Sequence, residues 1–132
     1  MSLRFMLDTD IVSFALRGEG EVGKRLLQET PSAVCISSIT LSELAFGAAR
    51  RGSPKLSGLI EAFIAAVQVL PFNGAAAWRF GEIAADLARA GSPIGDFDTL
   101  VAAHALSCDL TLVTNNRKHF DLIPSLRIEN WF

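Results

Sequence analysis

The sequence predicts a single α/β domain, spanning residues 1–132, with a small parallel sheet of four or five strands flanked by helices. Brief apolar runs alternate with longer stretches in which apolar residues recur at helical spacing. The length of 132 residues suits one domain, and no linker, repeat or low-complexity tract interrupts the pattern. Half of the residues are hydrophobic and 20% are charged, so a core can form without disulfides or a structural metal.

The predicted strands are short and apolar, as strands buried in a parallel sheet usually are. They cover residues 5–7, 34–36, 67–70 and 110–113, with a weaker fifth at 127–131. Because parallel strands end at one edge of the sheet, polar residues directly after them mark the place where a ligand is expected.

Helices are predicted between the strands, from the spacing of apolar residues and from their end signals. They cover residues 11–17, 21–29, 40–51, 54–66, 74–90 and 99–107. Ser53 is placed to cap the fourth helix, with Pro54 at its first position, and Asn73 to cap the fifth. The sixth is apolar almost all round, so we expect it to be buried.

The formal charge is −2, from 12 basic and 14 acidic residues, which argues against broad, non-specific binding to nucleic acid. Cys35 and Cys108 lie in or near apolar runs, so we expect two buried, reduced cysteines. No segment approaches the roughly 18 apolar residues of a membrane span, and the first residues are unlike a signal peptide. We therefore expect a cytoplasmic protein without a membrane partner.

Polar groups follow the first and fourth strands. Asp10 is placed to cap the next helix, whereas Asp8, as the last strand residue, points into the expected crevice, so we expect Asp8 to be functional. Thr114, Asn115 and Asn116 bring hydroxyl and amide groups to the same edge, either as turn formers or as parts of a site.

Further acids stand at predicted helix starts. Glu43 could form a capping box with Thr40, yet it shares a helical face with Gly47, which leaves room for a ligand. Asp96 and Asp98 precede the buried helix, where one of them is a natural N-cap. Two carboxylates this close repel each other, and a divalent cation resolves that conflict. Oxygen ligands without His or Cys favour Mg²⁺ or Mn²⁺ over zinc.

The order and spacing of these segments resemble PIN-domain proteins, specifically the VapC-type toxin ribonucleases of type II toxin–antitoxin systems. The segments that carry the resemblance are FMLDTD at 5–10, SSITLSEL at 37–44 followed by Gly47, IGDFD at 94–98, VAAHA at 101–105, LVTNN at 112–116 followed by Phe120, and LRIENW at 126–131. The resemblance implies a PIN-like fold in which Asp8, Glu43 and Asp98 are catalytic and hold Mg²⁺, or Mn²⁺ as a substitute. Its implied auxiliary residues are Asp96, Asn116, Thr114 and Thr9.

The implied activity is hydrolysis of phosphodiester bonds in structured RNA, tRNA or rRNA, by the toxin of a VapBC-type module. A VapB-type antitoxin and a second copy of the chain are the implied protein partners. Asp10 replaces an Asn common in the first motif, and Asn116 replaces a fourth acid of many PIN domains, which weakens the case for a second metal. Candidate RNA contacts are Arg50, Arg51, Arg117 and Lys118. Apolar residues that would serve either the core or an interface, with the core favoured, are Phe46, Phe63 and Trp78.

Three alternatives stay open. Asp8 and Asp10 imitate the Asp-x-Asp motif of haloacid-dehalogenase-type phosphatases, in which Asp8 would attack phosphate. A metal-free ribonuclease would use His104 and His119, although we expect a buried His104 and a His119 on a surface loop. A degenerate, non-catalytic PIN domain would only bind a partner.

Overall fold

The structure, a computed structural model, describes residues 2–132. Its five strands are β1 (Phe5–Leu7), β2 (Val34–Ser37), β3 (Gln68–Leu70), β4 (Thr111–Val113) and β5 (Ile128–Glu129). They form one parallel sheet in the order β3-β2-β1-β4-β5. The central strand β1 pairs with β2 on one side and β4 on the other, so the winding of the chain reverses there. In open α/β sheets, the crevice at such a switch point is the usual ligand site.

Seven α-helices connect the strands within residues 2–132. They are α1 (Thr9–Arg17), α2 (Val22–Gln28), α3 (Ser38–Arg51), α4 (Pro54–Ala66), α5 (Gly74–Arg89), α6 (Asp96–Ser107) and α7 (Arg117–Phe120). The predicted fold class is confirmed, and every predicted strand and helix is present, β1 and α4 with the predicted ends and the others with shifted ends. The short α7 was not predicted, because four residues are too few to show a helical period.

Strand residues alternate between two apolar cores on the two faces of the sheet. Met6, Cys35 and Leu112 belong to the core that includes residues of α5 and α6. Phe5 and Leu7 belong to the other core, which includes residues of α1, α3 and α4. Because both faces of the sheet are covered, every residue of β1 and β2 is buried, which explains their apolar sequences up to Leu7 and Ile36.

Two of the predicted helix caps are confirmed. The Ser53 hydroxyl accepts a hydrogen bond from the Leu56 amide, and the Asn73 side chain accepts one from the Ala76 amide.

No helix within residues 2–132 is long and apolar enough to cross a membrane.

Three other cap predictions are wrong. The first helix begins at Thr9 with Asp8 as its N-cap, so Asp10 lies inside the first turn. The third begins at Ser38 with Ser37 as its N-cap, which excludes the capping box of Glu43 with Thr40. Each helix begins earlier than predicted because a polar side chain at the end of the preceding strand already caps it.

The cap of α6 is a backbone feature. Gly95 has φ of 97°, and neither Asp96 nor Asp98 is the N-cap, contrary to prediction. Glycine adopts this positive φ without the steric cost that other residues carry. Both acids therefore lie in the first turn of the helix.

Several burial predictions are also corrected. Cys35 is buried as expected, but Cys108 is exposed, because it caps the end of α6 at the surface. Phe46 and Trp78 are 66% and 82% exposed, so they do not belong to the core, whereas Phe63 packs against it.

Candidate active site

The candidate site lies at the carboxyl ends of β1 and β4, where the sheet reverses. Asp8 directly follows β1, and its amide donates to the carbonyl of Val113 at the end of β4. Thr114 directly follows β4, and both Asp8 and Thr114 are buried. Parallel pairing brings these two strand ends together, although the residues are far apart in sequence.

The Asp8 carboxylate is held in place by two hydrogen bonds. Its Oδ1 accepts from the Thr9 amide at 2.8 Å, and its Oδ2 accepts from the Thr114 hydroxyl at 2.9 Å. The Thr114 hydroxyl in turn accepts from the Asn116 amide at 3.0 Å, which fixes its direction. These contacts orient a carboxylate that is only 5% exposed.

The pKa of Asp8 is raised from its ordinary value of 3.8 to about 7, chiefly by burial. The negative charges of Asp10 and Asp98 contribute to this rise, while the hydrogen bonds from Thr114 and Thr9 act in the opposite direction. Carboxyl groups with a pKa raised this far occur at functional sites more often than at structural positions. Burial and neighbouring negative charges disfavour the ionised form, and a bound cation would offset that cost.

Glu43 joins the site from α3. Its Oε1 accepts a hydrogen bond from the Thr9 hydroxyl of α1 at 2.6 Å. Burial raises the pKa of Glu43, and the charges of Asp98 and Asp10 add to that rise. Because Ser37 caps α3, Glu43 is not used as a cap and its side chain reaches the end of β1.

Asp10 also belongs to the acidic group, although the sequence indicated a cap. Its Oδ2 accepts from the Asn115 amide at 3.1 Å, whereas its buried Oδ1 has no hydrogen-bond partner. Burial raises the pKa of Asp10, with a contribution from the charge of Asp98. A buried carboxylate oxygen without a protein partner is costly, so this position favours the binding of a cation or a water. In the sequence, the Asp-x-Asp spacing of Asp8 and Asp10 was the signal that could have placed Asp10 in the site.

Asp98 reaches the site from the first turn of α6 and contacts His119 of α7. The Nδ1 of His119 lies 3.0 Å from Asp98 Oδ2 and 3.0 Å from the side-chain nitrogen of Asn116, and it donates to the carboxylate when it carries a proton. The prediction of a surface loop at His119 is wrong, because this half-exposed residue lies in α7. No motif pointed to it, since the contact depends on where α7 packs.

Asp96 is placed differently from the other acids. It is exposed, and it lines a separate cavity with Phe80, Pro93 and Thr99. The charges that raise the pKa of Asp8 come from Asp10 and Asp98. The structure thus groups Asp8, Asp10, Glu43 and Asp98 electrostatically, with Asp10 where the sequence suggested Asp96.

The donor set suits a hard cation such as Mg²⁺ or Mn²⁺, because carboxylate oxygens dominate it. Within residues 2–132, no three His, Cys, Asp or Glu side chains stand close enough to ligate one ion directly. Mg²⁺ binds proteins through one or two carboxylates and keeps several waters, so this spacing fits it. The unpartnered Oδ1 of Asp10 is a natural acceptor for such a water.

His104 takes no part in the acidic group. It is 1% exposed, and its Nδ1 lies 2.8 Å from the Ser37 hydroxyl inside the core. Burial lowers the pKa of His104, so the ring stays neutral near physiological pH. A ribonuclease mechanism that uses His104 on RNA is therefore excluded by its position.

The candidate RNA contacts are all exposed, at the end of α3 and on α7. Arg50 and Arg51 are exposed at the end of α3, and Arg51 lines a cavity that also includes Glu43. Arg117 and Lys118 are exposed on α7, where the Arg117 Nε lies 3.9 Å from an oxygen of Asp121.

Comparison with solved structures shows the same fold along nearly the whole chain. The DNA-bound VapBC complex of Salmonella typhimurium contains a chain that matches with a TM-score of 0.91 and 41% identity, covering 98% of this chain and 99% of that one. A chain of VapBC2 from Rickettsia felis, bound to a promoter DNA fragment, matches with a TM-score of 0.90 and 31% identity, covering 98% and 100%.

Sequence comparison agrees. The tRNA(fMet)-specific endonuclease VapC of Salmonella typhimurium is 42% identical over 98% of both chains. The ribonuclease VapC2 of Haemophilus influenzae is 38% identical, again over 98% of both. The PIN domain family model matches residues 5–125, which include every carboxylate of the candidate site. The chain therefore belongs to the PIN domain family and, within it, to the VapC-type proteins.

Proposed function

We propose that this chain is a Mg²⁺-dependent endoribonuclease that cleaves structured RNA, with Mn²⁺ as a substitute ion. The observation that carries the proposal is the convergence of Asp8, Asp10, Glu43 and Asp98 at the sheet switch point. Their mutual repulsion and burial make the group unfavourable unless a cation binds. The printed names of the VapC relatives, endonuclease and ribonuclease, support RNA as the substrate.

The residues divide into metal holders and residues that orient them. Asp8 and Asp98 would hold the ion, directly or through waters, and Glu43 would complete the site or orient the attacking water. Thr9 and Thr114 fix the carboxylates of Glu43 and Asp8 by the hydrogen bonds described above. When bound, the ion supplies positive charge for the scissile phosphate and for its transition state.

His119 orients the third acid. When its Nδ1 carries a proton it donates to Asp98 Oδ2, which leaves the other Asp98 oxygen available to the ion. The side-chain nitrogen of Asn116 lies 3.0 Å from the same ring nitrogen, so Asn116 stands beside this pair. An amide at this position adds no negative charge, which favours one tightly held ion over two.

The proposed substrate is an initiator tRNA. The relative at 42% identity is named for tRNA(fMet), and it aligns with this chain over 98% of its length. Arg50, Arg51, Arg117 and Lys118 are exposed around the site and are proposed to contact the RNA backbone.

The proposed protein partner is a VapB-type antitoxin, supported by the solved VapBC complexes that contain similar chains. An acidic crevice is complementary to a basic side chain from such a partner. We also propose that the chain works in the cytoplasm as a homodimer.

Membership of the PIN domain family contradicts the phosphatase alternative. A measurement of RNA cleavage distinguishes the proposal from the degenerate, non-catalytic alternative. Purified protein is incubated with initiator tRNA, an elongator tRNA and an rRNA fragment, with Mg²⁺ or with EDTA. We expect cleavage of the initiator tRNA with Mg²⁺ and none with EDTA.

The matched variants are Asp98→Asn and Asp96→Asn, which remove the same charge two residues apart on one helix. We expect Asp98→Asn to lower the cleavage rate at least about 100-fold, and Asp96→Asn to keep most of it. Both proteins should keep the wild-type circular dichroism spectrum. Cleavage by Asp98→Asn at the wild-type rate, or EDTA-resistant cleavage, would contradict the proposed site.

A further inference from the structure

A cavity beside the carboxylates is lined by two exposed phenylalanine rings. It has a volume of about 480 Å³, and its walls include Thr9, Glu43, Phe46 and Phe97. Phe46 is 66% exposed and Phe97 is 52% exposed. Exposed aromatic rings grouped at a functional site mark a binding surface more often than a chance arrangement.

The two rings come from different helices and flank the acidic group. Phe46 follows Glu43 by three residues on α3, so both side chains lie on one helical face. Phe97 directly precedes Asp98 in the first turn of α6. A ligand between the rings therefore lies against Glu43, and Asp98 is the chain neighbour of Phe97.

The other side of Glu43 has the opposite chemistry. There a smaller cavity of about 150 Å³ is lined by Arg17, Arg51 and Gly47, together with Glu43 itself. A Cβ added at Gly47 would meet no atom within 4 Å, so the way into this cavity is open. Glu43 thus separates an aromatic cavity from one that carries guanidinium groups.

We infer that the cavity between Phe46 and Phe97 binds an unpaired nucleobase of the RNA, next to the bond that is cut. Proteins recognise unpaired RNA bases by stacking them on aromatic rings, while cationic side chains contact the adjacent phosphates. An aromatic cavity and a cavity that contains Arg51, with Glu43 lining both, match an unpaired base and a neighbouring phosphate on either side of a catalytic carboxylate. The inference rests on the proposed ribonuclease function, and it adds that the base bound in this cavity determines which bond is cut.

The arginine-lined cavity favours RNA over a protein segment as the occupant. Arg51 provides charge complementary to phosphates on the far side of Glu43, whereas Arg17 is paired with Glu19 at 2.9 Å. Thr9 and Glu43 line both cavities, so a bound strand would be continuous with the catalytic group. An antitoxin peptide in the aromatic cavity is the outcome that the test must separate from this one.

The test compares kcat/KM for RNA cleavage by wild type, Phe46→Leu and Phe97→Leu in Mg²⁺. The substrate is a hairpin RNA that carries the loop of the initiator tRNA in which wild type cuts. Leucine keeps an apolar side chain and removes the ring, so each variant should lose roughly tenfold in kcat/KM. Phe46→Tyr and Phe97→Tyr keep the ring and should retain most of the wild-type activity. Trp78→Leu removes an 82% exposed ring outside the cavity and is the matched control.

The substrate is varied in parallel by making each loop nucleotide abasic in turn. Wild type should lose roughly tenfold at one nucleotide beside the cut bond, and the Phe97→Leu variant should lose much less there, since both changes remove the same stack. A 2-aminopurine at that nucleotide reports stacking directly. Its fluorescence should be quenched by wild type, with Ca²⁺ replacing Mg²⁺, and not by the Leu variants.

The outcomes separate the two proposals. If wild type cleaves no RNA, the ribonuclease proposal fails, and the 2-aminopurine signal alone decides whether the cavity binds a base. If wild type cleaves and the Leu variants match it on every substrate, the base cavity is refuted. Leu variants that cleave normally and lose only affinity for an antitoxin peptide would also refute it, and would assign the cavity to the protein partner.

Discussion

The buried carboxylate of Asp8 should make the metal-free protein less stable as the pH rises. Its pKa is about 7 in the folded chain and 3.8 ordinarily. Between these values the folded state keeps the proton and the unfolded state has lost it. Raising the pH therefore favours the unfolded state, and the stability that protonated Asp8 provides is lost as the pH passes through about 7.

The size of this effect follows from the shift. Each pH unit between the two pKa values changes the free energy of unfolding by about 1.4 kcal/mol. From pH 5 to pH 8 the folded-state pKa of about 7 leaves two such units, which gives a loss of about 3 kcal/mol. The Asp8→Asn variant does not titrate and keeps an acceptor for the Thr9 amide, so this loss should be absent.

The assay is urea unfolding of wild type and Asp8→Asn, followed by circular dichroism at pH 5 and pH 8 in EDTA. The stability advantage of Asp8→Asn should widen by about 3 kcal/mol from pH 5 to pH 8. Adding Mg²⁺ at pH 8 should stabilise wild type and leave Asp8→Asn almost unchanged, since binding to the folded state raises its stability. Equal pH dependence in the two proteins would refute the burial and repulsion assigned to Asp8.

Two further substitutions test single contacts. Thr9→Val removes the 2.6 Å hydrogen bond to Glu43, so we expect kcat to fall roughly tenfold with little loss of thermal stability; an unchanged kcat would show that Thr9 does not position Glu43. Gly20→Ala places a Cβ 2.7 Å from the Phe132 ring at φ of 66°, whereas Gly18→Ala has a similar φ of 68° and open space. We expect Gly20→Ala to lower the free energy of unfolding by about 1 kcal/mol more than Gly18→Ala in urea titrations, and equal losses would contradict the packing of the last residue.

The fold class and the positions of Asp8 and Thr114 were predictable because they depend on local sequence. Apolar runs of three or four residues between amphipathic stretches require a parallel sheet covered on both faces, and a polar residue after such a run lies at the ligand edge. This reasoning placed Asp8 and Thr114 at one edge, and the structure joins them by a hydrogen bond of 2.9 Å.

The caps of α1 and α3 could not be predicted, because neighbouring polar residues compete for the same role. Asp8 and Asp10 are both suitable caps by residue type, and only the exact end of β1 decides that Asp8 is used. The same competition between Ser37 and Thr40 decides that Glu43 is available to the site.

The sequence by itself therefore determined the sheet, its ligand edge and the acidic character of the site. Tertiary structure alone decided which further groups complete it. Asp10, with its unpartnered oxygen, joins the acids because Asn115 of the β4 end binds its other oxygen. His119 orients Asp98 because α7 packs beside α6, across 21 residues of sequence. Such contacts join residues without a shared periodicity or motif, so they arise only when the helices pack.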